Sequence, residues 1–288
     1  TIFNELVQFI DESNDAPDRS ALKAREIGKE GLDEIMDTYL QFLMRTDCYV
    51  HGDCHVFNML VASTLKALSN EDESSKGDIA IVDFEFAHYG PMGKDLGWVQ
   101  CFPMACVMAH TVNGDVAVAQ SIVEFFDCLW ETYEASVNLD GKDLTVEDLY
   151  RQTMASLGLM LLGYSSLGVH MEYLPFEDGN EEDVTKVRES LGVLSLKFFE
   201  MGFLGKPEGA TLAELRKGFK DAVQKEIDLL TPVKPRPVVK RRSSLLRDKK
   251  RRVSDSHTHF SMALDVGTIA EEAIMESAEC SVEGSEEL

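Results

Sequence analysis

Two stretches of about twenty residues, 96–114 and 152–171, carry no formal charge. A run of that length has two homes, a bilayer or the dry centre of a folded domain, and the first requires ~20 predominantly apolar residues. Both runs hold groups that a bilayer resists. The first contains Gln100, Pro103, His110, Thr111 and Asn113, and the second Gln152, Thr153, three serines and three glycines. They read as helices buried in a protein core, and no membrane partner is expected.

The surrounding pattern from 94 to 230 is almost entirely helical. Helices are expected from Asp95, kinked at Pro103, and over about 114–136, 145–169 and 181–203. An amphipathic helix over 212–230 is stopped by Thr231-Pro232. Residues 1–47 also read as helical. Residues 18–20 are placed to cap a stretch in which Leu32, Ile35, Met36, Leu40 and Leu43 recur at helical spacing. Near Cys48 the pattern changes. Met59-Leu60-Val61 and Ile79-Ala80-Ile81-Val82 are short apolar runs bounded by polar loops, which read as the strands of a hairpin. Its polar tip, 68–78, is expected to be mobile. The fold class that follows is α+β, mainly helical, with one small β-hairpin.

Charge limits the partners. Twenty-eight basic residues face 51 acidic ones, a net charge of −23, which argues against nucleic acid as a partner. The imbalance is local. Residues 232–260 hold ten Lys/Arg and two Asp, and residues 261–288 hold eight acids and no base. These blocks cancel, so the body carries the whole deficit. Two domains are therefore read: a body, 1–231, and a disordered basic-then-acidic tail, 232–288. The tail contains Arg-Arg-x-Ser twice, ending at Ser244 and Ser254, the pattern that basophilic protein kinases prefer. Six cysteines form no CxxC pair and match no zinc spacing. With no secretory signal ahead of them, a reducing, cytoplasmic setting is expected. The sequence opens on Thr1, which suggests a fragment.

Polar residues concentrate around the hairpin. His51-Gly52-Asp53-Cys54-His55-Val56-Phe57-Asn58 precedes it, Val82-Asp83-Phe84-Glu85-Phe86-Ala87 follows it, and then comes Gly90-Pro91-Met92-Gly93-Lys94-Asp95-Leu96-Gly97. Phosphoryl transfer needs a carboxylate to orient and deprotonate the attacking hydroxyl, and an Asn and an Asp to hold Mg²⁺ against the phosphates. In protein kinases the catalytic Asp and the Asn stand five positions apart, and the metal-binding Asp follows on a later strand. Asp53 and Asn58 have that spacing, and Asp83 lies 25 residues beyond Asn58. A hairpin returns Asp83 beside Asn58. On a pleated strand Glu85 shares the face of Asp83.

These motifs, HGDxHxxN and DFEFAxxGPxxxDLG, resemble the aminoglycoside phosphotransferase/choline kinase family. The wording of the second is most similar to methylthioribose kinases. The likeness is sharp over 48–100 and looser over 100–230. It implies the C-terminal lobe of a protein-kinase-like fold, with ATP and Mg²⁺ as cofactors and a small-molecule hydroxyl as acceptor. By resemblance Asp53 is the catalytic base, and Asn58 and Asp83 hold the metal and nucleotide. Glu85 is a further carboxylate near metal or substrate, and Asp95 binds catalytic-loop backbone from a helix N-terminus. His51 reads as a brace for that loop. His55 divides between loop packing and substrate contact. Cys54 is not read as a nucleophile, since it has no base assigned to it in space.

The chain departs from the resemblance at three points. Asn58 stands where many methylthioribose kinases have Ser. The late arginine pair of those kinases is matched only by Arg188-Glu189, so Arg188 alone is carried over toward the substrate; otherwise it reads as a surface helix residue. The β-rich nucleotide lobe, with its Gly-rich loop and Lys, is missing before His51. Gly28-Lys29-Glu30-Gly31 lacks the strand–loop–strand context of a phosphate loop. The rival reading is therefore a non-catalytic, kinase-like binding module. Substrate cues diverge as well: an acidic body suits a cation, while the motif wording suits a thioribose.

Overall fold

A computed structural model describes residues 19–61, 79–168, 170–176 and 180–232. The polar hairpin tip and the tail with Ser244 and Ser254 lie outside the described residues, which all belong to the unit ending at Pro232. Among the described residues six α-helices and four short strands follow in chain order: α1 (Arg19–Leu43), β1 (Cys48–Val50), β2 (Met59–Val61), β3 (Ile79–Ile81), β4 (His88–Gly90), α2 (Lys94–Asn113), α3 (Val116–Ser136), α4 (Val146–Leu167), α5 (Glu181–Gly202) and α6 (Leu212–Leu230).

The uncharged runs are α2 and α4, and they form the centre. In α2, buried residues lie all round the axis, from Leu96 to Val112, as expected of a helix enclosed on every side. The helix is continuous through Pro103. α4 packs against α5 and α2. Its buried hydroxyl on Thr153 donates to the Leu149 carbonyl at 2.9 Å, and Thr111 of α2 donates to Val107 at 2.7 Å. These two hydroxyls are thus satisfied within their own helices. Among the described residues no helix is long and apolar enough to cross a membrane. Close approach of α2 to α4 depends on Gly97, where a Cβ would stand 2.6 Å from the Ser156 Cβ and 2.7 Å from the Thr153 carbonyl oxygen.

Local sequence sets the helix ends. Thr145 with Asp148, and Thr211 with Glu214, form capping boxes at the starts of α4 and α6. Gly114 and Gly168 close α2 and α4 in the left-handed conformation. Gly28 (φ 74°, ψ 168°) breaks α1 into two helical pieces.

Charged pairs clamp α1 to the core. Arg19 reaches Glu226 of α6 in a fork, at 2.5 and 2.6 Å, and Glu226 is 1 % exposed. Arg19→Met strands that buried carboxylate and is expected to cost ~2 kcal/mol, read as a lower urea midpoint at constant m-value. Beside it, Glu200 is held by Lys23 at 2.8 Å and Lys197 at 3.3 Å. Burial alone pushes the Glu200 carboxyl up, but the two ammonium groups outweigh it and hold the group below its ordinary value. Stability from this shift is complete above the ordinary carboxylate pKa and is lost as pH falls through the lowered one. Glu200→Gln should therefore flatten the acid limb of a plot of Tm against pH.

The β-structure differs from the single hairpin read from sequence. β2 pairs with β3, with Met59 opposite Ile81, while β1 pairs with β4, with Cys48 opposite Gly90. Two nested antiparallel ribbons result, the outer one closed by a strand the sequence pattern did not signal. His88-Tyr89-Gly90 is too short to display alternation, and Tyr89 is exposed opposite Tyr49, the rings meeting edge-on at 5.6 Å.

Candidate active site

The segment between β1 and β2 carries the polar motif, and three anchors fix it. The first is Asp95, in the first turn of α2. Its carboxylate accepts from the backbone N–H of His51 at 2.7 Å and of Gly52 at 3.0 Å. The second is the His51 ring, which is buried. Its Nδ1 accepts from the Asp53 N–H at 3.3 Å, so Nε2 carries the proton and donates to the Val82 carbonyl at 2.8 Å. One imidazole thereby ties the Asp53 loop to the segment before Asp83. The third is Gly52 itself, at φ 86°, where a Cβ would stand 2.2 Å from the Phe86 carbonyl oxygen.

These anchors present Asp53. Its Oδ2 accepts from the Asn58 side-chain amide at 3.2 Å and lies 3.4 Å from His55 Nε2. The same amide donates to the Asp53 carbonyl at 3.0 Å. Asn58 is buried, and its backbone carbonyl accepts from Val82 N–H at 3.0 Å. Asp83 is therefore the next residue along from the pairing of Asn58 with Val82. It adopts φ 68°, ψ 59°, a left-handed conformation that Asp tolerates better than most side chains.

A family model described as the phosphotransferase enzyme family matches residues 6–122, a span that holds α1, both ribbons, the Asp53 loop and α2. That span of the chain is similar to the phosphotransferase enzyme family. No curated protein matches the chain. The architecture is that of a kinase-like lobe, and the activity that goes with the family is phosphotransfer to a small molecule. The narrower likeness to methylthioribose kinases gains nothing from the comparison.

The donor set of this lobe suits a hard cation. With Asn58 Nδ2 engaged by Asp53, the amide oxygen is left for a ligand, and the Asp83 carboxylate is exposed nearby in sequence register. Mg²⁺ is commonly held by one or two carboxylates and by substrate phosphates, with water completing the octahedron. Among the described residues no three His, Cys, Asp or Glu side chains gather into a metal cage. Glu85 is placed differently from its sequence reading. Phe84–Phe86 is a 3₁₀ turn rather than a pleated strand, and residues two apart on such a turn do not share a face. Glu85 is exposed there.

Arg188 also has an occupation that its sequence context did not signal. Its guanidinium donates to the carbonyls of Ser165 at 2.7 Å and Ser166 at 2.6 Å, in the last turn of α4. Cys54 is a thiol and not a thiolate, since burial, with Asp95 and Asp53 adding to it, pushes it up to about 11.

Sequence reasoning passed over three neighbours of the site. Asp47 gathers Gln152 at 3.1 Å and Arg45 at 2.9 Å, and the Met92 N–H at 3.4 Å, tying the loop before α2 to α4. Lys94 lies 5.5 Å over the Trp98 ring; burial pulls its ammonium down, with Asp95 and Asp53 opposing. His170 reaches His55 from the turn after α4, with ring centroids 6.3 Å apart. Asp47 and Lys94 had a signal, as charged residues bracketing the Gly-Pro loop and strand. His170 had none, since it closes an uncharged run more than a hundred residues from His55.

Proposed function

We propose that this chain carries the catalytic lobe of an ATP- and Mg²⁺-dependent kinase that phosphorylates a hydroxyl of a small molecule. One observation carries the reading. Asp53 Oδ2 is held by Asn58 and His55, while its other carboxylate oxygen makes no hydrogen bond among the described residues. A carboxylate fixed on one side and unengaged on the other is suited to align a hydroxyl and accept its proton. Asn58 and Asp83 would hold Mg²⁺, which supplies charge neutralisation of the phosphates when bound. Asp95 and His51 keep the loop in register and touch no reacting atom. The resemblance assigns most nucleotide contacts to a β-rich lobe, which the helix and short strand over 19–50 do not form.

The acceptor is proposed to be a sugar-like alcohol of the methylthioribose kind, in a cytoplasmic setting. Ser244 and Ser254 are proposed acceptors for a basophilic protein kinase. Incubating the full-length protein with MgATP and a panel of sugars, choline and aminoglycosides tests the reading by phosphorus NMR. A new phosphomonoester signal is expected with one acceptor class, and its absence with all of them sinks the proposal. The helix and short strand over 19–50, which form no β-rich lobe, favour a second reading, a scaffold that binds without transferring phosphate. That reading predicts acceptor binding with no ADP produced.

A further inference from the structure

Asp47 stands just before β1, and its carboxylate gathers donors from three segments. Arg45 Nε lies at 2.9 Å, Gln152 Nε2 of α4 at 3.1 Å and the Met92 N–H at 3.4 Å. Burial pushes this carboxyl up, but Arg45 and Gln152 outweigh it and hold the group below its ordinary value. Near pH 7 Asp47 is therefore an acceptor only. That fixes the direction of the buried Gln152 amide: Nε2 faces Asp47, and Oε1 accepts from the Gly93 N–H at 3.1 Å. The reversed amide would set oxygen against carboxylate and N–H against N–H. Gly93 is the N-cap of α2 and lies close on α4, where an added Cβ would stand 2.6 Å from both the Gln152 Cβ and the Thr153 nitrogen. Two residues on, Asp95 holds the N–H groups of His51 and Gly52.

We infer that Gln152 is a positioning residue for Asp53, with Asp47 orienting its amide, and that it acts through Gly93 and Asp95 without touching a reacting atom. This rests on the phosphotransferase reading of Asp53. The links run from Asp47 to Gln152, Gly93 and Asp95, and so to Gly52 beside Asp53. Other contacts also join α2 to α4. Ser156 donates to the Lys94 carbonyl at 2.9 Å, and Gly97 rests on Thr153. Those contacts set how far apart the helices lie. Gln152 is the partner of the Gly93 N–H, so it sets where the first turn of α2 begins and where the Asp95 carboxylate stands. Losing it leaves a buried N–H unpaired, a cost that draws the loop toward water or another acceptor. A misplacement of ~1 Å at a reacting group can cost ~10²-fold in rate, so a modest shift here is felt at Asp53. A mere packing residue is replaceable by any side chain of its size. This position requires a donor and an acceptor on one planar group.

The test uses the full chain and two readouts, one of them free of catalysis. The backbone amide proton signals of His51 and Gly52 report their bonds to Asp95, and kcat is measured for transfer from MgATP to methylthioribose. Gln152→Met keeps the length of the side chain and removes both polar atoms. Both amide signals should move upfield, and kcat should fall about 10-fold with KM for MgATP unchanged. Gln152→Glu tests the donor. Its carboxyl group can accept from Gly93 in either state, but it donates to Asp47 only while protonated. Two carboxylates sharing a site raise one pKa; the other charged or titratable groups around this pair are Arg45, Lys142, Asp143, Asp148 and Cys48. Gln152→Glu should therefore resemble the wild type below the raised pKa and Gln152→Met above it. Because Gln152 itself does not titrate, the ratio of variant to wild-type kcat should rise as pH falls from about 8 to about 5. Where Gln152→Met does not fold, the pH series on Gln152→Glu carries the test alone. Unmoved amide signals, a kcat lost only in proportion to the folded fraction, or a ratio flat with pH each overturns the inference. Transfer to methylthioribose unaffected by Gln152→Met sinks the positioning role and leaves the kinase. Amide signals that respond as expected, in a protein that transfers phosphate to no acceptor, sink the kinase and leave the link from Gln152 to the Asp53 loop.

Discussion

Asp53→Asn is expected to lower kcat by ~10²–10⁴-fold while leaving MgATP affinity almost unchanged, in the full-length protein. Asp53 keeps one carboxylate oxygen that Asn58 and His55 do not hold, and that oxygen is assigned to the acceptor. Its loss therefore removes an interaction with the acceptor hydroxyl in the transition state, which lowers kcat and kcat/KM together. Asp83→Asn acts on the other reactant. It removes the one charged side chain of the proposed Mg²⁺ ligand pair, so nucleotide affinity should drop and extra Mg²⁺ should restore part of the rate. The two variants measured across a Mg²⁺ series separate the roles. Rescue of Asp53→Asn but not of Asp83→Asn means that the roles are exchanged. If neither variant changes turnover, the lobe is a scaffold.

The helical body was legible because burial leaves a strong mark on composition. Two uncharged runs located α2 and α4, and Gly114, Gly168 and Thr231 ended helices within a residue or two of the expected places. The site was legible where chemistry requires fixed spacing along one segment, as from Asp53 to Asn58. It was illegible where it depends on long-range return. Nothing local in His88-Tyr89-Gly90 says that it pairs with Cys48–Val50 across the inner ribbon. Glu85 does not share the face of Asp83, because alternation cannot be extended past Ile81, where the left-handed Asp83 ends the strand geometry. Arg188 and His170 share a cause. Arg188 meets carbonyls through the packing of α5 against α4, and His170 meets His55 through the turn after α4; periodicity gives only the face of a helix, not what covers it.

Gly52→Ala is expected to disable the site while sparing the helical body. At φ 86° a Cβ is strained before any neighbour is considered, at ~1–2 kcal/mol. The added atom would also stand 2.2 Å from the Phe86 carbonyl oxygen, 2.9 Å from its carbon and 3.1 Å from His88 Nδ1. A backbone carbonyl cannot rotate away as a flexible side chain can, and this one also partners His88 Nδ1 at 2.7 Å. Either the Asp53 loop or the Phe84–Phe86 turn must move, and the movement separates Asp53 from Asp83. The combined local cost should reach ~3 kcal/mol or more. The core between α2, α4, α5 and α6 does not include Gly52, so the damage should stay in the ribbons. Hydrogen exchange should show lost protection at Tyr49 and Tyr89 with the α4 amides still protected, and turnover should vanish with a small change in Tm. Gly97→Ala gives the contrasting result. Its Cβ wedges α2 from α4 at the Thr153 carbonyl, so Tm falls and every helix loses protection together. If Gly52→Ala kept both turnover and exchange protection, the loop would be pliant enough to absorb a methyl group, and the fixed geometry assigned to Asp53 would fall with it.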